Sequence, residues 1–259
     1  MPLFKLPRIA LGQWPTPIHE LRRLSDILDG PRIFVKREDL NGLALGGNKC
    51  RKLEYVLADA QRRGIDTLIT SGSSQSNFAL QMAAASRTLG MEPYLVLVKG
   101  LHAESQGNLL LHQLLDSNVK IVEVDDPKEM FSKINIQMNE LSEDFKRRGR
   151  HPMVVPAGAF MPTGTAGWVN AAEEINRQVK ALNINLHYVV LTNGSGGTQA
   201  GLLLGFNQLG EPLKVVGVSV LFDKKEAVDA VASQIQDTAQ LYNHGDVADY
   251  YDLFEWLAG

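Results

Sequence analysis

The stretch "LALGGNKCRKLEY", residues 43–55, places a lysine directly after two glycines and an asparagine, with a second lysine three residues later. The glycines allow a tight turn and a close approach of the backbone to a ligand. The run from Arg51 to Tyr55 is typical of a helix start. The sequence therefore predicts that Lys49 lies in a turn just before a helix.

The composition indicates a globular protein with a small-molecule partner. The chain has 259 residues, 44% of them hydrophobic, which supports a core in one large or two small domains. Its net charge of −3 is spread along the sequence, so neither a nucleic-acid-binding face nor an acidic tail is expected. The one cysteine, Cys50, excludes an intramolecular disulfide and is typical of a reducing compartment. With no secretory signal or membrane-spanning run, we expect a cytoplasmic protein that binds no membrane.

Short β-branched runs alternate with longer helical patterns along almost the whole chain. The predicted strands are 32–38, 66–72, 93–99, 120–125, 151–158, 187–197 and 214–220. The predicted helices are 48–64, 76–90, 106–118, 127–149, 164–179, 198–210 and 224–242. This rhythm predicts an α/β fold with open parallel sheets covered by helices. Composition alone marks no domain boundary.

Three loops rich in Gly, Ser, Thr and Asn, at 42–49, 71–77 and 192–201, stand out because parallel sheets bind ligands at the carboxyl ends of their strands. In "NGSGGTQAG", residues 193–201, backbone N–H groups and a helix N-terminus converge after a strand, which predicts a phosphate site. Neither the Walker pattern nor the dinucleotide fingerprint is met. The alternative is a glycine-rich turn that only packs a helix on a strand.

Lys49 is a candidate for covalent capture of a carbonyl group. Glycine packing on one side and the cationic neighbour Lys52 on the other lower an amine's pKa until it can form a Schiff base; the alternative is a solvated lysine. Such a lysine and a phosphate site at the same end of one sheet predict a site for pyridoxal 5′-phosphate. Ser76 and Asn77 begin the next helix, and their polar groups can hydrogen-bond a ring hydroxyl or a substrate carboxylate. The alternative is an ordinary N-cap cluster.

Five stretches occur in the order and spacing of a known enzyme family along essentially the whole chain. They are "WPTPIHEL" (14–21), "VKREDLNGLALGGNKCRKLEY" (35–55), "QSN" (75–77), "GTAGWVNAAEEI" (164–175) and "GSGGTQAG" (194–201). The sequence resembles the 1-aminocyclopropane-1-carboxylate deaminase and D-cysteine desulfhydrase family, within the tryptophan synthase β-like, fold type II pyridoxal-phosphate enzymes.

The resemblance implies a lyase or deaminase that acts on a small amino acid. The favoured activity is that of a D-cysteine desulfhydrase, which forms pyruvate, hydrogen sulfide and ammonia. The alternatives are a 1-aminocyclopropane-1-carboxylate deaminase, which forms 2-oxobutanoate and ammonia, and a truncated, non-catalytic homologue that binds the cofactor. It also implies a small domain, 54–153, inserted into a large one, 1–53 and 154–259, and a homodimer.

The resemblance also assigns roles to site residues. It implies that Lys49 carries the cofactor and acts as the base. Ser76 is implied as a catalytic residue on the substrate carboxylate side, and Asn77 as a contact to the cofactor's ring hydroxyl and a part of the substrate site. Phosphate binding is implied for Lys52 together with Gly194, Ser195, Gly196, Gly197 and Thr198.

The sequence departs from the family in two places. Phe78 stands where the family usually has a polar residue that binds the substrate carboxylate, so it is either a substrate-binding position with one hydrogen bond fewer or a core residue. The family usually continues beyond the last predicted helix, so we expect a shortened C-terminus without the partner of the pyridine nitrogen. We predict an apolar terminal helix that includes Tyr250 and Tyr251.

The remaining candidates have weaker patterns. The six histidines lack metal-ligand spacing, and no metal site is predicted. Cys50 is predicted to be a small packing residue, because no histidine lies near it in sequence to activate its thiol. Trp168 is predicted to lie in the core, with a wall of the cofactor cleft as the alternative.

Overall fold

The structure is a computed structural model that describes residues 6–100, 106–124, 129–211, 213–241 and 254–257. Within these ranges the helices are α1 Arg22–Leu28, α2 Cys50–Arg62, α3 Asn77–Thr88, α4 Asn108–Leu114, α5 Met130–Arg147, α6 Pro162–Ala181, α7 Gly197–Gln208 and α8 Lys224–Leu241. The strands are β1 Ile18–Glu20, β2 Phe34–Lys36, β3 Thr67–Ser73, β4 Glu92–Val98, β5 Asn118–Val122, β6 Pro152–Val155, β7 Tyr188–Asn193, β8 Lys214–Ser219 and β9 Phe254–Leu257. Each helix and strand of the predicted alternating series, from 32–38 to 224–242, is present.

The strands form two parallel sheets and one antiparallel pair. One parallel sheet has the order β5-β4-β3-β6 and the other the order β7-β8-β9. The α/β fold with parallel sheets is thus confirmed. The strand predicted at 32–38 is β2, but it pairs antiparallel with β1 and lies outside both parallel sheets.

Helices cover the four-stranded sheet on both faces. Its central strand β3 is buried from Thr67 to Ser71, as expected for a parallel strand between two helical layers. Leu68 packs in a cluster with α2 and α3, whereas Ile69 packs in a second cluster with α5. The three-stranded sheet shares a separate apolar cluster with α6, α7 and α8. This arrangement is compatible with the predicted division at 54 and 153, which stays a prediction.

Two expectations concern the end of the chain. The apolar terminal helix is wrong for Phe254–Leu257, because these residues form β9 and pair in parallel with β8. Tyr250 and Tyr251 lie outside the described residues. A search of the described part of the chain finds no helix with the length and apolar character that crossing a bilayer requires.

Helix α2 is buried around its whole circumference from Cys50 to Ala58, including the charged residues Arg51, Lys52 and Glu54. Its backbone almost touches α6, since a Cβ on Gly167 would stand 2.1 Å from the carbonyl oxygen of Arg51. A side chain at position 167 would therefore force the helices apart. This close crossing fixes where the first turn of α2 points.

A network of buried ion pairs connects α2 to α6. The Arg51 guanidinium donates to both carboxylate oxygens of Glu174, at 2.8 and 3.1 Å, and to both of Glu38, at 2.7 and 2.8 Å. Lys36 donates to Glu174 at 2.6 Å. Burial raises the pKa of Glu174, but its hydrogen bonds to Arg51 and Lys36 and their charges outweigh that effect, so the pKa is lowered. Glu174 is therefore ionised at neutral pH, and together with Glu38 it balances the charges of the buried Arg51 and the half-buried Lys36.

We predict that Glu174→Ala lowers the free energy of unfolding by about 3–5 kcal/mol at pH 7, because it removes, within the described part of the chain, the one carboxylate that pairs with Lys36 and one of the two that pair with the buried Arg51. Urea unfolding followed by circular dichroism measures the change. The matched control is Glu143→Ala, which removes an exposed ion pair with Lys146 and should cost about 0.5 kcal/mol or less. Equal effects of the two variants would contradict the network's role.

Candidate active site

Lys49 is the N-cap residue of α2, at the end of a tight turn. Hydrogen bonds connect this turn to both α6 and α7. The amide of the preceding residue, Asn48, donates to the hydroxyl of Thr198 in α7 at 3.2 Å, and its carbonyl accepts a hydrogen bond from the Trp168 indole in α6 at 3.1 Å. Trp168 is 5% exposed and lies in the core, as predicted. The backbone position of Lys49 is thus set by contacts on each side.

The Lys49 amine faces the glycine-rich turn across Gly158. A Cβ on Gly158 would stand 3.7 Å from Lys49 Nζ and 3.2 Å from Ser195 Oγ. Gly158 has a φ of +71°, a conformation that favours glycine. The Ser195 hydroxyl of the turn and the Lys49 amine therefore both lie close to one small residue, within the reach of a single ligand.

Lys52 lies on the same side of α2, one turn later, and its side chain is fully buried. A Cβ on Gly197, the first residue of α7, would stand 2.8 Å from Lys52 Nζ. The amine donates to the carbonyl of Gly158 at 3.2 Å. In the described residues, no carboxylate pairs with it. A buried amine that faces a helix N-terminus without a counterion has the donors of an anion site.

The electrostatics of the two lysines follow from burial. Burial lowers the pKa of the Lys49 amine. The pKa of Lys52 is lowered well below its usual value, first by burial and then by the charge of Lys49. A neutral Lys49 amine is the form that attacks a carbonyl group. A dianion beside Lys52 would offset the cost of burying that amine as a cation.

Ser76, Asn77 and Phe78 begin α3 beside this turn. Ser76 is the N-cap residue, and its hydroxyl accepts the Ala79 N–H at 3.2 Å. The side-chain oxygen of Asn77 accepts a hydrogen bond from Asn108 at 3.0 Å. Phe78 is 3% exposed and packs in the apolar core. The substrate-site roles of these three residues stay predictions.

A glutamine connects α3 to the turn of Lys49. The Gln81 amide, one turn after Asn77, donates to the carbonyl of Gly46 at 2.9 Å. The helix that begins with Ser76 is therefore anchored to the loop that presents the amine.

Sequence reasoning missed two residues of the site, Gly158 and Thr165. Gly158 follows β6, so the rule that ligands collect at the carboxyl ends of parallel strands could have identified it. Thr165 lies inside α6, and a Cβ on Gly197 would stand 3.3 Å from its hydroxyl. Nothing in the local pattern around Thr165 marks that contact, because it depends on how α6 and α7 pack.

Cys50 takes no visible part in the site. It is completely buried in the core, as predicted, and burial raises the pKa of its thiol to about 12. The thiolate, which is the reactive form, is therefore scarce at neutral pH. Over the described ranges, no group of three or more His, Cys, Asp or Glu side chains is placed to hold a metal ion.

Comparisons with known proteins identify the family of the chain. The family model described as "Pyridoxal-phosphate dependent enzyme" matches residues 9–248. The chain is 40% identical to "Putative 1-aminocyclopropane-1-carboxylate deaminase" of Pyrococcus abyssi, over 92% of this chain and 70% of that protein. It is 38% identical to the "D-cysteine desulfhydrase" of Klebsiella pneumoniae strain 342, over 97% and 77% respectively. A crystal structure of an ACC deaminase homologue superposes with a TM-score of 0.85, at 36% identity over 93% of this chain and 71% of that one.

We predict that Lys52→Met raises the free energy of unfolding of the cofactor-free protein by at least about 1 kcal/mol at pH 7, because it removes an uncompensated buried amine. The gain should shrink as pH rises toward 10.5, the ordinary lysine pKa. In that range the unfolded wild-type chain binds more protons than the folded one, so wild-type stability increases with pH.

Urea unfolding in phosphate-free buffer between pH 7 and 10.5 measures this difference. Lys99→Met, at an exposed ion pair with Glu123, is the control and should change stability by about 0.5 kcal/mol or less. A destabilised Lys52→Met protein would show that Lys52 is a structural residue.

Proposed function

The chain belongs to the pyridoxal-phosphate dependent enzyme family, and we propose that it is a D-cysteine desulfhydrase-like lyase, which forms pyruvate, hydrogen sulfide and ammonia. The enzyme family and the cofactor predicted from sequence are confirmed by the family match and the named relatives. The observation that carries the proposed chemistry is the approach of the Lys49 amine and Ser195 to the same glycine, Gly158.

The residues around Gly158 fit a phosphorylated aldehyde. Lys52 and the first amides of α7 would hold the phosphate ester, and the Lys49 amine would meet the aldehyde; the closeness of Lys52 to Gly197 and of Lys49 to Gly158 supports this proposal. The predicted phosphate loop, Gly194 to Thr198, contains the start of this helix. When bound, the cofactor supplies an electron sink for a carbanion at the substrate Cα.

Lys49 has a second task in this chemistry, since its amine would take the proton from the substrate Cα. Burial lowers its pKa, which brings a base closer to the pH at which it works. A single residue thus binds the cofactor and moves a proton at the reacting carbon.

Ser76 and Asn77 would bind the substrate and the ring of the cofactor. Because Ser76 Oγ accepts a backbone hydrogen bond, its hydroxyl proton can be donated to a substrate carboxylate. Because Asn77 Oδ1 accepts from Asn108, its amide N–H groups can reach a ring hydroxyl. Phe78 would then contribute through packing behind these two residues, since its ring lies in the core.

A second candidate substrate is 1-aminocyclopropane-1-carboxylate. The names of the Pyrococcus abyssi relative and of the ACC deaminase homologue favour it. Opening of its ring would yield 2-oxobutanoate and ammonia. We further propose that the enzyme is a cytoplasmic homodimer with a small domain, 54–153, beside a large one, 1–53 and 154–259.

We predict that Lys49→Ala lowers turnover by about 10²–10⁴-fold or more, because both the attachment point and the base are lost. Its purified protein should lack the visible absorbance band of the lysine-bound cofactor. Borohydride reduction and peptide mass spectrometry of the wild type should place the cofactor on Lys49. Lys146→Ala, at an exposed lysine, is the control. Full turnover of Lys49→Ala would refute the assignment.

The substrate is tested by supplying D-cysteine, L-cysteine and 1-aminocyclopropane-1-carboxylate to the cofactor-loaded protein. We expect pyruvate and sulfide from D-cysteine, at a kcat/KM at least tenfold above that for the other two. A dominant yield of 2-oxobutanoate would favour the deaminase instead. A cofactor-loaded protein that forms no keto acid from any of the three would indicate a non-catalytic homologue.

A further inference from the structure

Thr165 has a buried hydroxyl with no hydrogen-bond partner among the described residues. Its side chain is 0% exposed, and Oγ1 meets no acceptor or donor. A threonine inside a helix usually satisfies its hydroxyl by donating to the carbonyl one turn earlier. An unpaired buried hydroxyl costs stability, so a ligand that accepts its proton would stabilise the fold.

The hydroxyl points to the same place as Lys52. The position that a Cβ on Gly197 would occupy is 3.3 Å from Thr165 Oγ1 and 2.8 Å from Lys52 Nζ. Gly197 begins α7, where the backbone N–H groups lack partners within the helix. One amine, one hydroxyl and one helix start therefore converge on a single small volume. A phosphate monoester accepts hydrogen bonds from donors of these three kinds.

We propose that the Thr165 hydroxyl is a third protein donor to the phosphate ester of the cofactor, beside Lys52 and the first amides of α7. This inference rests on the proposed function of the same site. A hydroxyl suits this position because two lysines, Lys49 and Lys52, already lie close together. It adds a hydrogen bond without adding a third positive charge, which would repel the other two.

The assignment predicts effects of opposite sign on the empty and the loaded protein. Thr165→Val keeps the shape of the side chain and removes the unpaired hydroxyl, so the cofactor-free protein should melt at the same or a higher temperature. The same variant should bind pyridoxal 5′-phosphate about tenfold or more weakly, since it loses a hydrogen bond to a charged group. A merely structural threonine would instead lower the melting temperature of the cofactor-free protein.

The experiment measures dissociation constants of the cofactor-free wild type, Thr165→Val, Thr165→Ser and Lys52→Met. The probes are pyridoxal 5′-phosphate, unphosphorylated pyridoxal and inorganic phosphate, followed by absorbance or calorimetry. For Thr165→Val we expect weaker binding of both phosphate-bearing probes and unchanged binding of pyridoxal. Thr165→Ser should restore most of the affinity, because it restores the hydroxyl.

Unchanged phosphate affinity in Thr165→Val, together with lost affinity in Lys52→Met, would overturn the Thr165 assignment and leave the proposed function standing. Equal weakening for pyridoxal and its phosphate would also overturn it, since the effect would then not lie at the phosphate. A wild type that binds none of the three probes would overturn both proposals.

Discussion

The site depends on one uncompensated buried amine, that of Lys52. Its neighbour Arg51 is equally buried, but two carboxylates, Glu38 and Glu174, surround its guanidinium and raise its pKa even though burial alone would lower it. Lys52 has a carbonyl oxygen and a helix start in place of a carboxylate. Such an amine weakens the fold until an anion joins it. The proposed phosphate ester would supply the charge that no carboxylate supplies to Lys52 in the described residues.

Helix geometry explains why the short stretch "KCRKLEY" carries four charged residues with different contacts. Lys49 and Lys52 are three residues apart and share a face, while Arg51 points to α6. Glu54 points toward the N-terminal segment and accepts hydrogen bonds from Arg8, two backbone N–H groups and the indole of Trp14. One surface of α2 thus faces Gly158 and the start of α7, where we propose that the cofactor binds, and the others fasten the helix in place. In the described residues, Arg51 and Glu54 have partners of opposite charge, whereas Lys52 has none.

Much of this could be predicted from the sequence, because it depends on local pattern. The βα alternation gave all the major helices and strands, and "GGNK" and "GSGG" identified the two turns that meet at the site. Long-range contacts were not predictable. Gly158 lies between the two turns because of how the elements pack. Strand β2 pairs with β1 because the chain reverses direction between them, and the hydrophobic periodicity of the sequence does not show this reversal. The hydrophobic pattern at the end of the chain does not distinguish a helix from a strand, and the helix prediction is wrong for β9.

The residues that weaken the empty site are the ones proposed to bind the cofactor. A buried amine and an unpaired hydroxyl both cost stability in the absence of an anion, and both would be satisfied by the same phosphate ester. Binding to the folded state alone then stabilises it by an amount that grows with ligand concentration relative to Kd. Apolar residues of similar volume at positions 52 and 165 are expected to give a more stable cofactor-free fold. The proposed phosphate binding therefore gives a physical reason for both positions to be polar.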